Sequence, residues 1–331
     1  MDRQALTDER AAEFVRDAAA APSLHNAQPW RFRHFRGSRT FEMRADPGRA
    51  LPHADPQRRA LHLGCGAALL NLRVGLAHGG WHPAVQLLPD PADPGLLATV
   101  RPAGPGTADG ALAALYPAVH RRHSSRYPFD DTRIPERIRT ALGDAARSEG
   151  AVLAFPSSWH LEEVLELLEE AEARNLTDRG SGQDLADWTR PDDSSPVGAA
   201  PDGVPGYAFG PRKRGGKAPM RDFAGDRPVA GRAAAEFERS PQLAVLSTAH
   251  DRPEDWLRAG QAMERVLLLA TLEGLSTSFA SQALEWSDLR WPLRDPVSGT
   301  GHAQIVLRLG YGPEVPATPR RPVPDILDIR P

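Results

Sequence analysis

Apolar residues recur at helical spacing in some stretches of the chain and alternate in others, and the two patterns take turns along its length. Thr7 with Asp8 and Glu9 forms a cap and acidic first turn for a helix to about Ala20, with Phe14, Val15 and Ala18 facing inward. Residues 31–35 and 39–43 alternate about Gly37-Ser38, a hairpin pattern. Asp55-Pro56 opens a long helix over 57–78, with Leu61, Leu69, Leu72 and Leu76 in its apolar row and Gly79-Gly80 at its end. Gly64 and Gly66 inside that helix each cost about 1 kcal/mol relative to alanine, so they predict close packing against another backbone. Residues 84–88 and 96–101 read as strands, and 102–110, rich in Pro and Gly, as a linker.

A similar round follows. Pro135 starts a helix to about Ser148, 151–155 is a strand, and Leu161, Val164, Leu165 and Leu168 set the inner row of a helix over 161–174. Residues 178–232 lose periodicity and scatter Trp188, Tyr207, Phe209 and Phe223 among Gly, Pro and Asp, the pattern of a lid that packs onto something. A strand at 242–248, a helix over 256–272 closed by Gly274, a strand at 303–309 and a Pro-rich tail from Pro313 complete the chain. The helices at 57–78 and 255–273 look equivalent, which points to internal duplication.

Composition narrows the classes. The 331 residues suffice for two domains or one domain of two similar halves. A net charge of −3 creates no field toward nucleic acid or a membrane. No apolar run approaches about 18 residues, and the start carries no secretory pattern. Cys65 is the single cysteine, which excludes an intrachain disulfide and a multi-cysteine metal site. The expected setting is cytoplasmic and reducing. His25, His62, His78, His82 and His302 show no metal-ligand spacing, so no metal is expected.

Two stretches carry candidate chemistry. In 21–32, Pro22 and Pro29 stiffen a turn holding Ser23, His25, Asn26 and Gln28, with Trp30 and Phe32 as apolar anchors. Such a turn suits a planar polar ligand, or simply a polar corner capped by a core Trp. In 121–129, Arg121, Arg122 and Arg126 with Ser124 and Ser125 form a donor set suited to a phosphate, a nucleotide or an acidic protein surface.

Together these stretches resemble the nitroreductase family of flavoproteins. Arg122-His123-Ser124-Ser125-Arg126 with Phe129 resembles that family's basic FMN motif, and Pro22 to Trp30 its Pro-Ser-x-x-Asn-x-Gln-Pro-Trp turn. Pro319-Arg320-Arg321-Pro322, after Leu309 to Gly312, is similar to its closing strand and basic phosphate contact. The order departs from that of ordinary members, in which the basic motif comes first. Here each motif occurs once, one in each half, as in a fused chain that keeps a single complete site. That arrangement is similar to the Acg-type branch.

The resemblance implies an α+β nitroreductase-like fold of two similar halves, 1–109 and 110–331, forming an intrachain pseudo-dimer with a lid at about 178–232. It implies FMN as cofactor, with Arg122, Ser124 and Arg126 on its phosphate and ring edge, and His123 beside them. Ser23 and Asn26 would face the ring, Arg320 or Arg321 the phosphate, and Glu273-Gly274 the turn over the flavin. Leu24 stands where many relatives carry a hydroxyl. The expected activity is hydride transfer from NAD(P)H through FMN to nitroaromatic or quinone-like acceptors, by a monomer. The alternative is an FMN-sequestering protein whose lid, with Trp188 and Tyr207 as plugs, occludes the flavin. A third reading is a protein that binds an acidic partner through Arg121, Arg122 and Arg126.

Overall fold

Two long helices, Arg59–His78 and Pro253–Leu272, pack side by side through the centre of the molecule. The structure is a computed structural model describing residues 6–103, 109–192, 195–225, 227, 229, 231–294 and 301–331. The chain start, most of the 102–110 linker and a few positions of 178–232 therefore lie outside the described residues.

The glycines explain why these helices sit so close. A Cβ on Gly66 would collide with the Leu257 carbonyl oxygen and lie 2.9 Å from Gly260 Cα. A Cβ on Gly260 would collide with the Leu63 carbonyl oxygen and lie 2.9 Å from Gly66 Cα. The contact is reciprocal, glycine against glycine, each beneath the carbonyl three residues before the other. Gly64 serves a different approach: its Cβ would meet Ser23 Cβ at 3.2 Å, so the first central helix runs against the Pro22-Ser23 turn.

Two larger sheets are present among the described residues. The first has the order Leu327–Arg330, Trp30–Phe35, Thr40–Ala45, Leu96–Ala103, His82–Leu87. It is antiparallel except that Leu327–Arg330 runs parallel to Trp30–Phe35. The second is wholly antiparallel, in the order Ser276–Phe279, His302–Gly310, Gln242–Thr248, Val152–Ala154. Helix Asp8–Ala19 packs on the first central helix and helix Glu136–Ser148 on the second. Thr7 caps the N-terminal helix by accepting from the Arg10 amide at 3.3 Å. Buried Trp30, Phe32, Phe41, Leu69 and Leu72 belong to the same apolar core as Leu246, Leu257, Leu267 and Leu307.

Three features differ from the sequence expectations. The Pro-rich tail does not end as coil: Val323–Ile326 is a short helix, and Leu327–Arg330 pairs with Trp30–Phe35 at the edge of the first sheet. The region from 178 is not without regular structure, since Arg179–Asp187 is a helix whose cap, Asp178, accepts from the Ser181 amide at 2.7 Å. Helix Arg59–His78 is long and apolar enough to cross a membrane by composition, with mean hydropathy 1.4, but 83% of that window is buried in the protein.

Candidate functional site

The Pro22–Gln28 turn is held in an unusual conformation. His25, Asn26 and Gln28 have φ of 50°, 56° and 53°, in the left-handed region. Each such non-glycine residue stores roughly 1 kcal/mol or more, which persists only where surroundings over-determine it. They do so here. The Gln28 amide donates to Ser23 Oγ at 2.8 Å, and the Asn26 amide to the Ser23 carbonyl at 3.0 Å. Gln28, wholly buried, spends its side chain on the backbone, donating to the Pro201 carbonyl at 2.8 Å and accepting from the Arg321 amide at 2.8 Å. Asn26 Nδ2 donates to the Gly203 carbonyl at 2.9 Å, while its Oδ1 accepts from Arg320 at 3.1 Å.

The arginine stretch is anchored with equal care. The Ser125 amide donates to the Thr277 carbonyl at 2.8 Å, and Ser124 bridges Thr277 beside the edge strand of the second sheet. Downstream, Phe129 and Tyr127 are fixed by a buried Arg308–Glu238 pair: Arg308 donates to the Tyr127 carbonyl at 3.0 Å, and Glu238 accepts from the Phe129 amide at 3.0 Å. These contacts set Arg122, His123, Ser124 and Arg126 facing the Pro22–Gln28 turn.

Between them lies a cleft of about 1190 Å³, its open mouth included. Ser23, Asn26, Arg122, His123, Ser124, Arg126 and Arg320 all line it, although nearly 300 residues separate the first from the last. Glu273, Gly274 and Arg321 do not. Glu273 follows the last turn of the second central helix and pairs with Arg137 at 3.2 Å, and Gly274 turns the chain there with φ 76°. Arg321 points away, toward the Gln28 and Trp30 carbonyls and Asp46. The cleft wall that sequence reasoning gave to 273–274 is built a few residues later, by Ser278, Phe279, Ser281, Gln282 and Glu285.

The segment after 178 also contributes, though not through the expected aromatics. Trp188 packs beside Ala27, Leu51 and Ala54, and Tyr207 donates its hydroxyl to the Ala317 carbonyl at 2.8 Å. Val204, Met220, Arg221 and Phe223 line the cleft instead. Phe223 lies 4.6 Å from the Arg126 guanidinium carbon and edge-on to His25 at 5.7 Å. Arg221 holds Glu285 through two bonds of 2.7 and 2.8 Å and donates to His25 Nε2 at 2.8 Å.

The electrostatics are those of a cationic pocket short of anions. Burial lowers the Arg126 pKa to about 10; its recorded partners are the Ala208 carbonyl and the Phe223 ring, with no ion pair among the described residues. Burial, then Arg122, lowers Arg320 to about 9. Burial, then Arg122, Arg320 and His120, lowers His123 to about 4 and keeps it neutral near pH 7. His25 is held well below the ordinary histidine value by burial, then by Arg221 and Arg126. Its Nδ1 is buried without a partner, as are Arg320 Nε and Gln282 Oε1. Two donors without acceptors and one acceptor without a donor, on the walls of a cleft rich in arginine, fit an anionic, hydrogen-bonding group such as FMN. Cys65 is no rival centre: burial raises its thiol pKa strongly, and its Sγ faces the Pro29 carbonyl at 3.3 Å. Among the described residues no cluster of His, Cys, Asp and Glu is placed to hold a metal ion.

No family model matches the chain. Two proteins of Mycobacterium tuberculosis (strain ATCC 25618 / H37Rv) are similar over almost its whole length. "Putative NAD(P)H nitroreductase Rv3131" is 33% identical over 328 residues, covering 96% of this chain and 92% of the relative. "Putative NAD(P)H nitroreductase acg" is 30% identical over 334 residues, covering 96% and 94%. Among solved structures, a nitroreductase with bound FMN from Bacteroides fragilis NCTC 9343 aligns with 62% of this chain and 92% of its own at 15% identity. Its TM-score of 0.37 is too low to support further inference.

Proposed function

Because this chain belongs to the nitroreductase family, in the branch that contains Acg, we propose that it binds FMN in the cleft and acts as an NAD(P)H-dependent flavin oxidoreductase on nitroaromatic or quinone-like acceptors. The observation that carries this reading is Arg126, a largely buried guanidinium on the wall of a cleft, with no carboxylate partner among the described residues. Burying a cation without a counter-ion costs several kcal/mol, which a bound anionic or carbonyl-rich ring system offsets.

In this reading Arg122, His123, Ser124 and Arg320 hold the phosphate end, and Arg126, Ser23 and Asn26 the ring. Bound FMN supplies a ring that accepts two electrons as hydride and passes them on, so the protein needs no nucleophile of its own. The side chains bind and orient, and the Phe279, Leu24 and Phe223 walls exclude water. The two halves are read as a fused duplication: a reciprocal Gly66–Gly260 contact is what a two-fold axis between equivalent helices produces. Each half keeps one of the two motifs, so one chain completes one site and a monomer suffices.

Arg126→Ala is expected to weaken FMN binding about 10- to 100-fold, the loss of one or two charge-assisted hydrogen bonds. A fluorescence titration measures this, and unchanged affinity removes Arg126 from the site.

A second reading, sequestration of FMN, is favoured by one observation. Phe223 lies over Arg126 while Arg221 bolts the same segment to Glu285 and His25, as a closed lid would be held. Anaerobic mixing with NADPH separates the readings. Rapid bleaching of the flavin band supports the reductase. A flavin reduced by dithionite but not by NADPH supports sequestration, and Phe223→Ala then restores reduction if the closed segment is the cause.

A further inference from the structure

Behind the cleft arginines lies a buried polar cluster that flavin binding alone does not explain. Glu264, on the second central helix, is wholly buried, and neither of its carboxylate oxygens meets a hydrogen-bond partner. Asn71 faces it from the first central helix and is wholly buried too; its amide is near enough to favour the Glu264 carboxylate, but neither amide atom reaches well-aligned hydrogen-bond geometry. Arg122 stands between this pair and the cleft. Its Nε lies 3.3 Å from Glu264 Oε1 but is misaligned for a hydrogen bond, and its Nη2 donates to the Ala20 carbonyl at 3.0 Å. Arg320 donates to the same carbonyl at 3.1 Å. Five unsatisfied polar atoms at a helix–helix contact, where apolar side chains would pack more favourably, call for an explanation other than stability.

On the reading that the cleft takes FMN, we propose that Glu264 is a positioning residue, the built-in counter-anion of the phosphate end. It pairs with Arg122 when the cleft holds no anion and takes up a proton when a phosphate monoester binds Arg122 and Arg320.

The charges lead to this directly. Among the described residues Glu264 is the carboxylate paired with Arg122. The other ionisable groups nearby are committed elsewhere. Arg73 and Arg265 turn to Glu149, His120 pairs with Asp17, and His123 stays neutral. The field that keeps Glu264 ionised therefore comes from Arg122 and Arg320. A phosphate dianion on those guanidiniums cancels that field and adds repulsion, and a proton on Glu264 relieves both. The carboxyl is already near balance: burial pushes it up to about 7, while Arg122, Asn71 and Arg320 pull it down. A proton-coupled site also keeps the arginines folded and neutralised before the cofactor arrives.

The test is calorimetric titration of the whole apo protein with FMN, and with riboflavin, which lacks the phosphate, at about pH 7.5 in buffers of different ionisation enthalpy. Free FMN is already dianionic there, since a phosphate monoester loses its second proton near pH 6. The expected result is uptake of about three-quarters of a proton per FMN, since a carboxyl with a pKa of about 7 is partly protonated already at that pH, and none with riboflavin. FMN affinity should also fall roughly tenfold between about pH 7 and pH 8.5. In Glu264→Gln the uptake disappears and affinity is flat over that range. The proposal is overturned if wild type binds FMN with no proton uptake, if riboflavin gives the same uptake, or if Glu264→Gln retains it. Wild type alone decides the first two outcomes, so a poorly folding variant leaves the test intact. Failure to bind FMN at all overturns the flavin reading as well, and so is distinct from failure of the proton linkage.

Discussion

Gly260→Leu will prevent stable folding. The new Cβ would strike the Leu63 carbonyl and lie 2.9 Å from Gly66 Cα, and both obstacles are backbone of the facing helix. Backbone cannot rotate away as a side chain can, so the central helices must separate. Their separation opens the contact of Leu63, Gly66, Leu257 and Gly260 together with the core packed around it. Overpacking a core commonly costs 1–3 kcal/mol, and here, with four side-chain carbons added against backbone, the expected loss is at least about 4 kcal/mol. Gly182 provides the control. It sits in helix Arg179–Asp187, a Cβ there meets nothing within 4 Å, and its φ is not positive. Gly182→Ala should stabilise by about 0.5–1 kcal/mol through helix propensity and a less mobile unfolded chain. Denaturant titrations of both variants measure the contrast. A Gly260→Leu protein of wild-type stability would refute the close helix contact.

Arg122→Met has the second large effect, and it depends on pH. The substitution leaves Glu264 buried opposite Asn71 without its ion-pair partner. A buried carboxylate forced to stay charged and unpaired typically costs about 3–5 kcal/mol. A group that already balances at about pH 7 can protonate instead, which caps the electrostatic loss at pH 8 at about 1.4 kcal/mol. Glu264 escapes by remaining protonated. Its folded-state pKa, already about 7 with Arg122 present, rises further without it. A carboxyl with a raised folded pKa keeps a proton that the unfolded chain releases above its ordinary value of about 4.3, so its effect on stability worsens as pH rises. The variant should accordingly be closer to wild type at pH 5 than at pH 8. Adding Glu264→Gln should recover much of the loss at pH 8. A penalty independent of pH, or no recovery in the double variant, would show that packing and not the ion pair is at stake.

The regular elements were legible wherever long periodic stretches set them. The cap at Thr7, the hairpin about Gly37-Ser38, the central helices and the strands at 242–248 and 303–309 stand where periodicity and punctuation put them. Even the helix glycines announced a close approach before the partner was known. Legibility failed where the cause was distant. Leu327-Asp328-Ile329-Arg330 is only four alternating residues after a Pro-rich run, and it becomes a strand because Trp30–Phe35 offers an open edge. Helix Arg179–Asp187 begins Arg-Gly-Ser-Gly, a poor helix sequence; Asp178 caps it, and Asp184 anchors it by accepting the His53 and Ala54 amides at 3.0 and 2.8 Å.

The cleft divides in the same way. Its motif residues carried local patterns and could be named. Arg221, Phe223, Gln282 and Glu285 come together only by tertiary folding, and no spacing announces them. Glu264 did leave a trace, a carboxylate inside the apolar stretch Gln261 to Leu269, though without Arg122 in view it reads as an ordinary exposed helix position. Trp188 and Tyr207, the aromatics expected to face the cleft, do not line it, whereas Phe223 from the same segment does. Trp188 packs behind the turn against Ala27, Leu51 and Ala54.

The central claim is that two motifs from opposite halves assemble one flavin site per chain. Titrating apo protein of known concentration with FMN, by quenching of flavin fluorescence and by mass spectrometry of the intact complex, tests it most directly. The account predicts saturation at one FMN per single chain, with the yellow complex running as a monomer. Two FMN per chain, binding only in a dimer, or no FMN bound at all would contradict it.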